Sequence, residues 1–202
     1  MKFDKMSKIK TIFVVFIMTA VAWNIIMDTS IAESGAPGTN GATSKDWYIE
    51  YDDSITRKDE NITLNGNLII NCSGVLRFTN IILKINSTAT KRHTIWVKPG
   101  GSLIMVNTTV SANDTNYPYE FIVEGEFYLY KCVINDVWAT LEDPKGGIQI
   151  SSDAIISEST INGSDGSGIY INESNPNIID SIISNCYYGV YVNGPLPTLN
   201  IL

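Results

Sequence analysis

The chain has 202 residues, of which 44% are hydrophobic and 17% charged, and a formal net charge of −7. Its 14 Lys and Arg are scattered among 21 Asp and Glu. With no basic stripe to collect phosphates, nucleic-acid binding is excluded as a function class. The acidity also disfavours a polyanionic sugar such as pectate, unless calcium bridges the two.

In chain order, residues 1–32 read as an export signal. Lys2, Lys5, Lys8 and Lys10 form a basic start, residues 12–27 an apolar run interrupted by Asn24, and Ser30-Ile31-Ala32 a small-x-small cleavage site. The run falls short of the roughly 20 apolar residues of a stable span. If it stays uncleaved, residues 12–27 are a membrane anchor with the N-terminus in the cytoplasm. Either way the remainder is placed outside the cell, and without residues 1–32 its charge is −9. Residues 33–45, ESGAPGTNGATSK, read as a flexible linker. Residues 46–64 are expected to cap the domain that fills 46–202.

From about Gly66 onward the chain repeats. An apolar–x–apolar motif recurs at Leu68–Ile70, Ile95–Val97, Phe121–Val123, Ile148–Ile150, Ile169–Ile171 and Val190–Val192, in steps of 27, 26, 27, 21 and 21. A second apolar column runs Phe78, Met105, Leu129, Ile156, Ile178 and Leu199, and a third Leu83, Val110, Ile134, Ile161 and Ile183. Alternation over four to six residues rich in Ile, Val, Tyr and Thr, punctuated by Asn, Gly, Asp and Pro, indicates strands with one buried face. A fixed period in the twenties indicates a solenoid whose repeats bury their apolar faces against one another. The expected fold is all-β: a right-handed parallel β-helix of five to six coils, three short strands per coil, behind a signal or anchor helix. A β-sandwich is the rival, but it does not predict three columns in register.

The middle residue of the first motif points outward, giving the column Ile69, Trp96, Ile122, Gln149, Tyr170 and Tyr191. Trp96, Tyr170 and Tyr191 are candidate sugar-binding residues, since an aromatic face is apolar and its edge can stay wet. The commoner origin of such a column is an ordinary cross-strand ladder, or a face covered by residues 46–60 with Trp47, Tyr48 and Tyr51, since aromatic pairs stabilise sheets without any ligand. A second column holds Asn80, Asn107, Lys131, Glu158 and Asp180. Glu158 and Asp180, from adjacent coils, are candidates for calcium binding or for acid–base work in glycoside cleavage, which needs about 5–9.5 Å between carboxylates. The alternative is a solvated turn ladder in which Lys131 pairs weakly with Glu158.

Cys72, Cys132 and Cys186 fall at different points of their repeats and match neither a zinc spacing nor a disulfide framework. They read as small, semi-buried residues in turns or the coil interior. His93, the only histidine, lies in a turn and lacks a partner at any metal or triad spacing, so no metal site and no cofactor other than calcium is expected. Sequons at Asn61, Asn71, Asn86, Asn107, Asn113, Asn162 and Asn172 are candidate N-glycan acceptors. Asn is also expected in such turns because it tolerates left-handed backbone angles.

The segments SGIYINESNPNIIDSIISNCYYGVYVNGPLPTLNIL, NGNLIINCSGVLRFTNIILKINST and VKPGGSLIMVNTTV resemble the right-handed parallel β-helix repeat of microbial surface and periplasmic proteins, including NosD-like and pectate-lyase-like members. The wording is similar to that of secreted archaeal members, and it covers Asn61–Leu202. The resemblance implies the fold. For activity it implies a choice among lyases, hydrolases, adhesins, surface-layer components and non-catalytic binders. β-Helix lyases pair calcium-binding Asp residues with a basic proton abstractor, whereas Arg57, Arg77 and Arg92 lie well before Glu158 and Asp180 here. A copper site of the kind the NosD-like name suggests would want several soft or imidazole ligands, and beyond residue 32 the chain has one histidine, His93, and one methionine, Met105, in an inward column.

The sequence stops one strand into a coil, at PTLNIL, without a polar cap. The expectation is a truncated reading frame, the alternative end-to-end association with another chain through the uncapped coil. The functional expectation is an exported cell-surface protein for non-catalytic recognition or adhesion, towards polysaccharide or a surface glycan. A polysaccharide lyase or glycoside hydrolase, or a fragment of one, is the alternative, and a structural surface-layer component the third reading.

Overall fold

The structure is a computed structural model that describes residues 42–43, 45–140, 145–194 and 200–201, all within the compact unit Ile31–Leu202. The expected signal (1–32), the anchor stretch 12–27 and residues 33–41 of the expected linker lie outside the described residues.

Three strands form each coil, because short alternating segments end where Asn, Asp, Gly or Ser turns the chain. In chain order they are β1 (Ala42–Thr43), β2 (Trp47–Ile49), β3 (Ser54–Lys58), β4 (Asn61–Leu64), β5 (Leu68–Ile70), β6 (Val75–Thr79), β7 (Ile82–Ile85), β8 (Thr94–Val97), β9 (Ser102–Val106) and β10 (Thr109–Ala112). They continue with β11 (Glu120–Val123), β12 (Glu126–Tyr130), β13 (Val133–Asn135), β14 (Ile148–Ile150), β15 (Ala154–Ser157), β16 (Thr160–Asn172), β17 (Asn177–Ile179), β18 (Ile182–Asn193) and β19 (Asn200–Ile201). Every pairing between these strands is parallel. One column is β3, β6, β9, β12, β15, β17 and β19. The other two columns are joined into one twelve-stranded sheet, because β16 and β18 each run through the corner that loops occupy in earlier coils. The result is an all-β parallel solenoid of about six turns.

The columns read from the sequence stack as expected. Leu68, Ile95, Phe121, Ile148, Ile169 and Val190 are consecutive partners. Leu83, Val110, Ile134, Ile161 and Ile183 are likewise in register. The second column differs at its end, where Ile201, not Leu199, pairs with Ile178. Leu199 lies outside the described residues. All these side chains up to Ile178 are at least nine-tenths buried. Each contributes about 1.5–3 kcal/mol by leaving water.

Residues 46–64, expected as a cap, are themselves a regular coil. Trp47, Ile55 and Ile62 sit opposite Leu68, Leu76 and Leu83 at the 21-residue step. Residues 46–60 therefore do not cover the outer face, and Trp47 lies inside the core with its ring 6.0 Å from that of Phe78. In this coil the inward position opposite Phe78 is Arg57, buried and ion-paired with Glu60. An inward charge on such a coil discourages edge-to-edge stacking of apolar surface. The strand β1, inside the expected linker, already pairs with Thr63 and Leu64.

Candidate functional site

The turn between the second and third columns is two residues long in every coil. Its first residue, Asp59, Asn80, Asn107, Lys131, Glu158 or Asp180, has a φ between 47° and 56°. From Asp59 to Glu158 the backbone N–H of each donates to a carbonyl of the next coil, as Lys131 does to Ser157 at 3.2 Å and Glu158 to Ile179 at 3.0 Å. Where the side chain is an amide it also bonds along the axis: Asn80 Nδ2 donates to Asp59 Oδ1, and Asn107 Nδ2 to Asn80 Oδ1, both at 2.7 Å. Glu158 and Asp180 are thus exposed members of a left-handed turn ladder, and Lys131 Nζ stands 3.6 Å from Glu158 Oε2. Among the described residues no group of three or more His, Cys, Asp and Glu is placed to hold a metal.

The outward column is in register, and Tyr48 extends it ahead of Ile69. Trp96 stands alone among the aromatics, with Ile122 and Gln149 between it and Tyr170. Its Nε1 donates to Glu124 at 2.8 Å, and Lys98 Nζ sits 5.0 Å from the ring centroid. Tyr170 and Tyr191 stack as expected, rings 5.9 Å apart and 13° from parallel. Tyr170 is only 5% exposed, so its ring serves as a base for others. Tyr188 meets Tyr191 edge-on at 5.7 Å and Tyr187 at 4.8 Å, and these two are 40% and 65% exposed. The sequence reading missed Tyr187 and Tyr188, because they lie past the strand pattern at a corner where β18 runs on. The adjacent Tyr-Tyr pair before Gly189 was the available signal.

Of these, Tyr187 borders a groove formed where the third column returns to the first. In the coils before β16 this corner varies in length: it takes 65–67, 86–93 and 113–119 in turn, and in the next coil 136–140 and 145–147 are its described residues. Arg92 ties two of them together, its guanidinium 4.1 Å from the Trp138 ring centroid and 3.5 Å from Glu120. Ala139 is packed tightly, and a Cβ on Gly166 would come within 2.6 Å of the Thr140 carbonyl oxygen. The wider part of the groove is an open depression of about 740 Å³ beside Tyr187, Ser164, Asp165 and Asn185. A narrower part of about 220 Å³ shares Ser164, Asp165 and Asn185 and adds Asp136. Asp136, Gly163 and Asn185 occupy left-handed positions in successive coils. Burial pushes the Asp136 carboxyl above its ordinary value, against a hydrogen bond from the Ala112 backbone.

The other sequence candidates are mostly structural in placement. Asn71, Asn86, Asn107, Asn113 and Asn162 donate their Nδ2, the atom a glycan would take, to Glu50, Asn65, Asn80, Asn86 and Asn135. Asn172 accepts from Asn193 at 2.9 Å, and Asn61 opens β4 on its exposed face. The three cysteines are free: Cys72 and Cys132 sit in turns and Cys186 lies within β18. His93 belongs to the loop 86–93 but is buried, its Nδ1 unpartnered. Burial lowers its affinity for a proton, helped by Lys91 and opposed by Asp46.

Compared with family models, curated proteins and solved structures, the chain has no match.

Proposed function

We propose that this is an exported, cell-surface β-helix protein that recognises carbohydrate without catalysis, using the tyrosines at the mouth of the loop groove. The observation that carries this reading is the exposed Tyr187, which lines the groove beside Ser164, Asp165 and Asn185 and meets Tyr188 edge-on, the first of a run of rings that continues through Tyr191 to the stacked Tyr170. Aromatic faces take the apolar side of a sugar ring, while a few convergent polar groups take its hydroxyls. The non-catalytic part rests on Glu158 and Asp180, whose left-handed turn positions account for their being on the surface. Export rests on residues 1–32. Kinship with NosD-like or pectate-lyase-like repeats of secreted archaeal proteins rests on the repeat wording.

The test is a glycan array probed with the full-length chain, alongside Tyr187→Ala and Tyr188→Ala. Binding to a glycan class, weakened about tenfold or more in each variant, is the expected result. Cleavage of soluble polysaccharide, with or without calcium, that is lost in Glu158→Ala and Asp180→Ala would replace this reading with the lyase or hydrolase alternative. Binding to no glycan would leave the surface-layer reading.

A further inference from the structure

The loop 86–93 closes on a side chain that cannot take up a proton where it lies. Thr88 and Lys91 exchange backbone hydrogen bonds at 2.8 and 3.2 Å, and the His93 N–H donates to Ser87 Oγ at 3.1 Å. Behind this small hairpin the His93 ring is 3% exposed, and its Nδ1 has no partner. A neutral imidazole needs one donor and one acceptor satisfied, whereas an imidazolium has two N–H donors and a charge to place. Lys91, in the same loop, repels that charge. Asp46, from the first coil, attracts it, but its oxygens already accept from the Asn67 backbone at 2.8 Å and side chain at 3.3 Å. From the coil after come Tyr119, completely buried with its hydroxyl unpartnered, and Glu120, which is engaged by Thr94 and Arg92.

Arg92 immediately precedes His93. Its guanidinium lies over the Trp138 ring, and Trp138 leads into Ala139 and Thr140 on the groove wall. The ring that resists charging is therefore one peptide bond from the side chain that ties this loop to the groove. We propose that the loop 86–93 is an acid-released clamp: proton uptake expels the His93 ring, the hairpin opens, and Arg92 leaves Trp138. The sign follows from linkage, because the buried ring holds a proton less tightly than a solvated one and acid therefore favours the open loop. The device does not depend on what the groove binds.

Two-dimensional NMR of the full-length chain between pH 7.5 and 5.0 tests this. His93 is the single histidine, so its ring signals need no assignment, and the Trp138 indole signal is identified by its loss in Trp138→Phe. The expected result is one transition, with a midpoint below about 6.5, shared by the His93 ring and the Trp138 indole. Across it the amides of Thr88, Lys91 and His93 should lose about tenfold or more of their exchange protection, while those of β9 keep theirs. In His93→Gln the loop and the indole should no longer respond to acid. In Arg92→Gln the His93 ring should still titrate, with the indole at its acid position throughout. An unchanged acid response in His93→Gln overturns the clamp, as does a His93 ring that titrates without moving the loop or the indole. Simultaneous loss of protection in β9 is global unfolding and overturns it too. The shared midpoint in the unsubstituted chain decides the matter even if His93→Gln does not fold.

Discussion

Cys132 shows how one position can serve the whole stack. Thr108, Cys132, Ser159 and Ser181 follow the left-handed residue in successive coils, and each side chain donates to the carbonyl two residues back. The oxygens also accept the next backbone along: Ile81 N–H to Thr108, Cys132 N–H to Ser159, Ser159 N–H to Ser181. The Cys132 thiol takes the Thr108 N–H, and burial pushes its pKa to about 11. Cys132→Ser should therefore stay within about 1 kcal/mol of the parent, while Cys132→Ala, leaving a buried N–H unpaired, should cost about 1–3 kcal/mol in denaturant unfolding. In the folded chain at pH 8 a thiol reagent should label the exposed Cys72 quickly and Cys132 only on unfolding. His93 gives a second residue-scale expectation. Its folded proton affinity is lowered, so between that value and about 6.5 the unfolded chain binds more protons. Its contribution to stability is complete above pH 6.5 and is lost as pH falls through that window. His93→Gln should flatten the fall in unfolding midpoint between pH 7.5 and 5.5, and an unchanged fall would assign it to other groups.

At the scale of the element, strand positions and turn positions answer to different physics. Strands are fixed by alternation, so Ile134→Ala, wholly buried, should cost about 2–5 kcal/mol, whereas Ile182→Ala, an exposed neighbour in β18, should stay within about 0.5 kcal/mol. Turns are fixed by backbone angle. Lys131 and Glu158 hold left-handed angles that cost a branched or long side chain about 1–2 kcal/mol, so Lys131→Asn and Glu158→Asn should each stabilise the chain by up to about 1 kcal/mol. Destabilisation by both would mean that their ion pair outweighs the backbone. This division explains what could be read from the sequence. The apolar columns were visible because Ile95, Phe121 and Ile148 repeat the same side-chain chemistry at the same phase. The left-handed turns were half visible: Asn80 and Asn107 announce them, and Glu158 hides them by imitating a catalytic carboxylate. The first coil was obscured because Arg57 stands where the column calls for an apolar residue. The groove was least legible, since Asp136, Asp165 and Tyr187 fall in corners of unequal length and are brought together only by winding.

At the scale of the molecule, a constant two-residue turn on one side and variable loops on another sort the chain into a rigid wall and an adaptable rim. Loops carry recognition because their lengths change without disturbing the stack. The 26- and 27-residue steps differ from the 21-residue steps mainly at this corner, beside the exposed tyrosines. Both the groove and its proposed ligand therefore depend on parallel winding in the observed register. A disulfide tests that winding most directly. In a chain with Cys72, Cys132 and Cys186 replaced by Ser, the partners Ile122 and Gln149 would be changed to Cys as a pair. Adjacent strands stand about 4.8 Å apart, within the roughly 4.4–6.8 Å that a disulfide spans. Rapid oxidation of this pair, with none for Cys at 122 and 153, is the predicted result. Cross-linking of the 122–153 pair instead, or of neither, would contradict the stack.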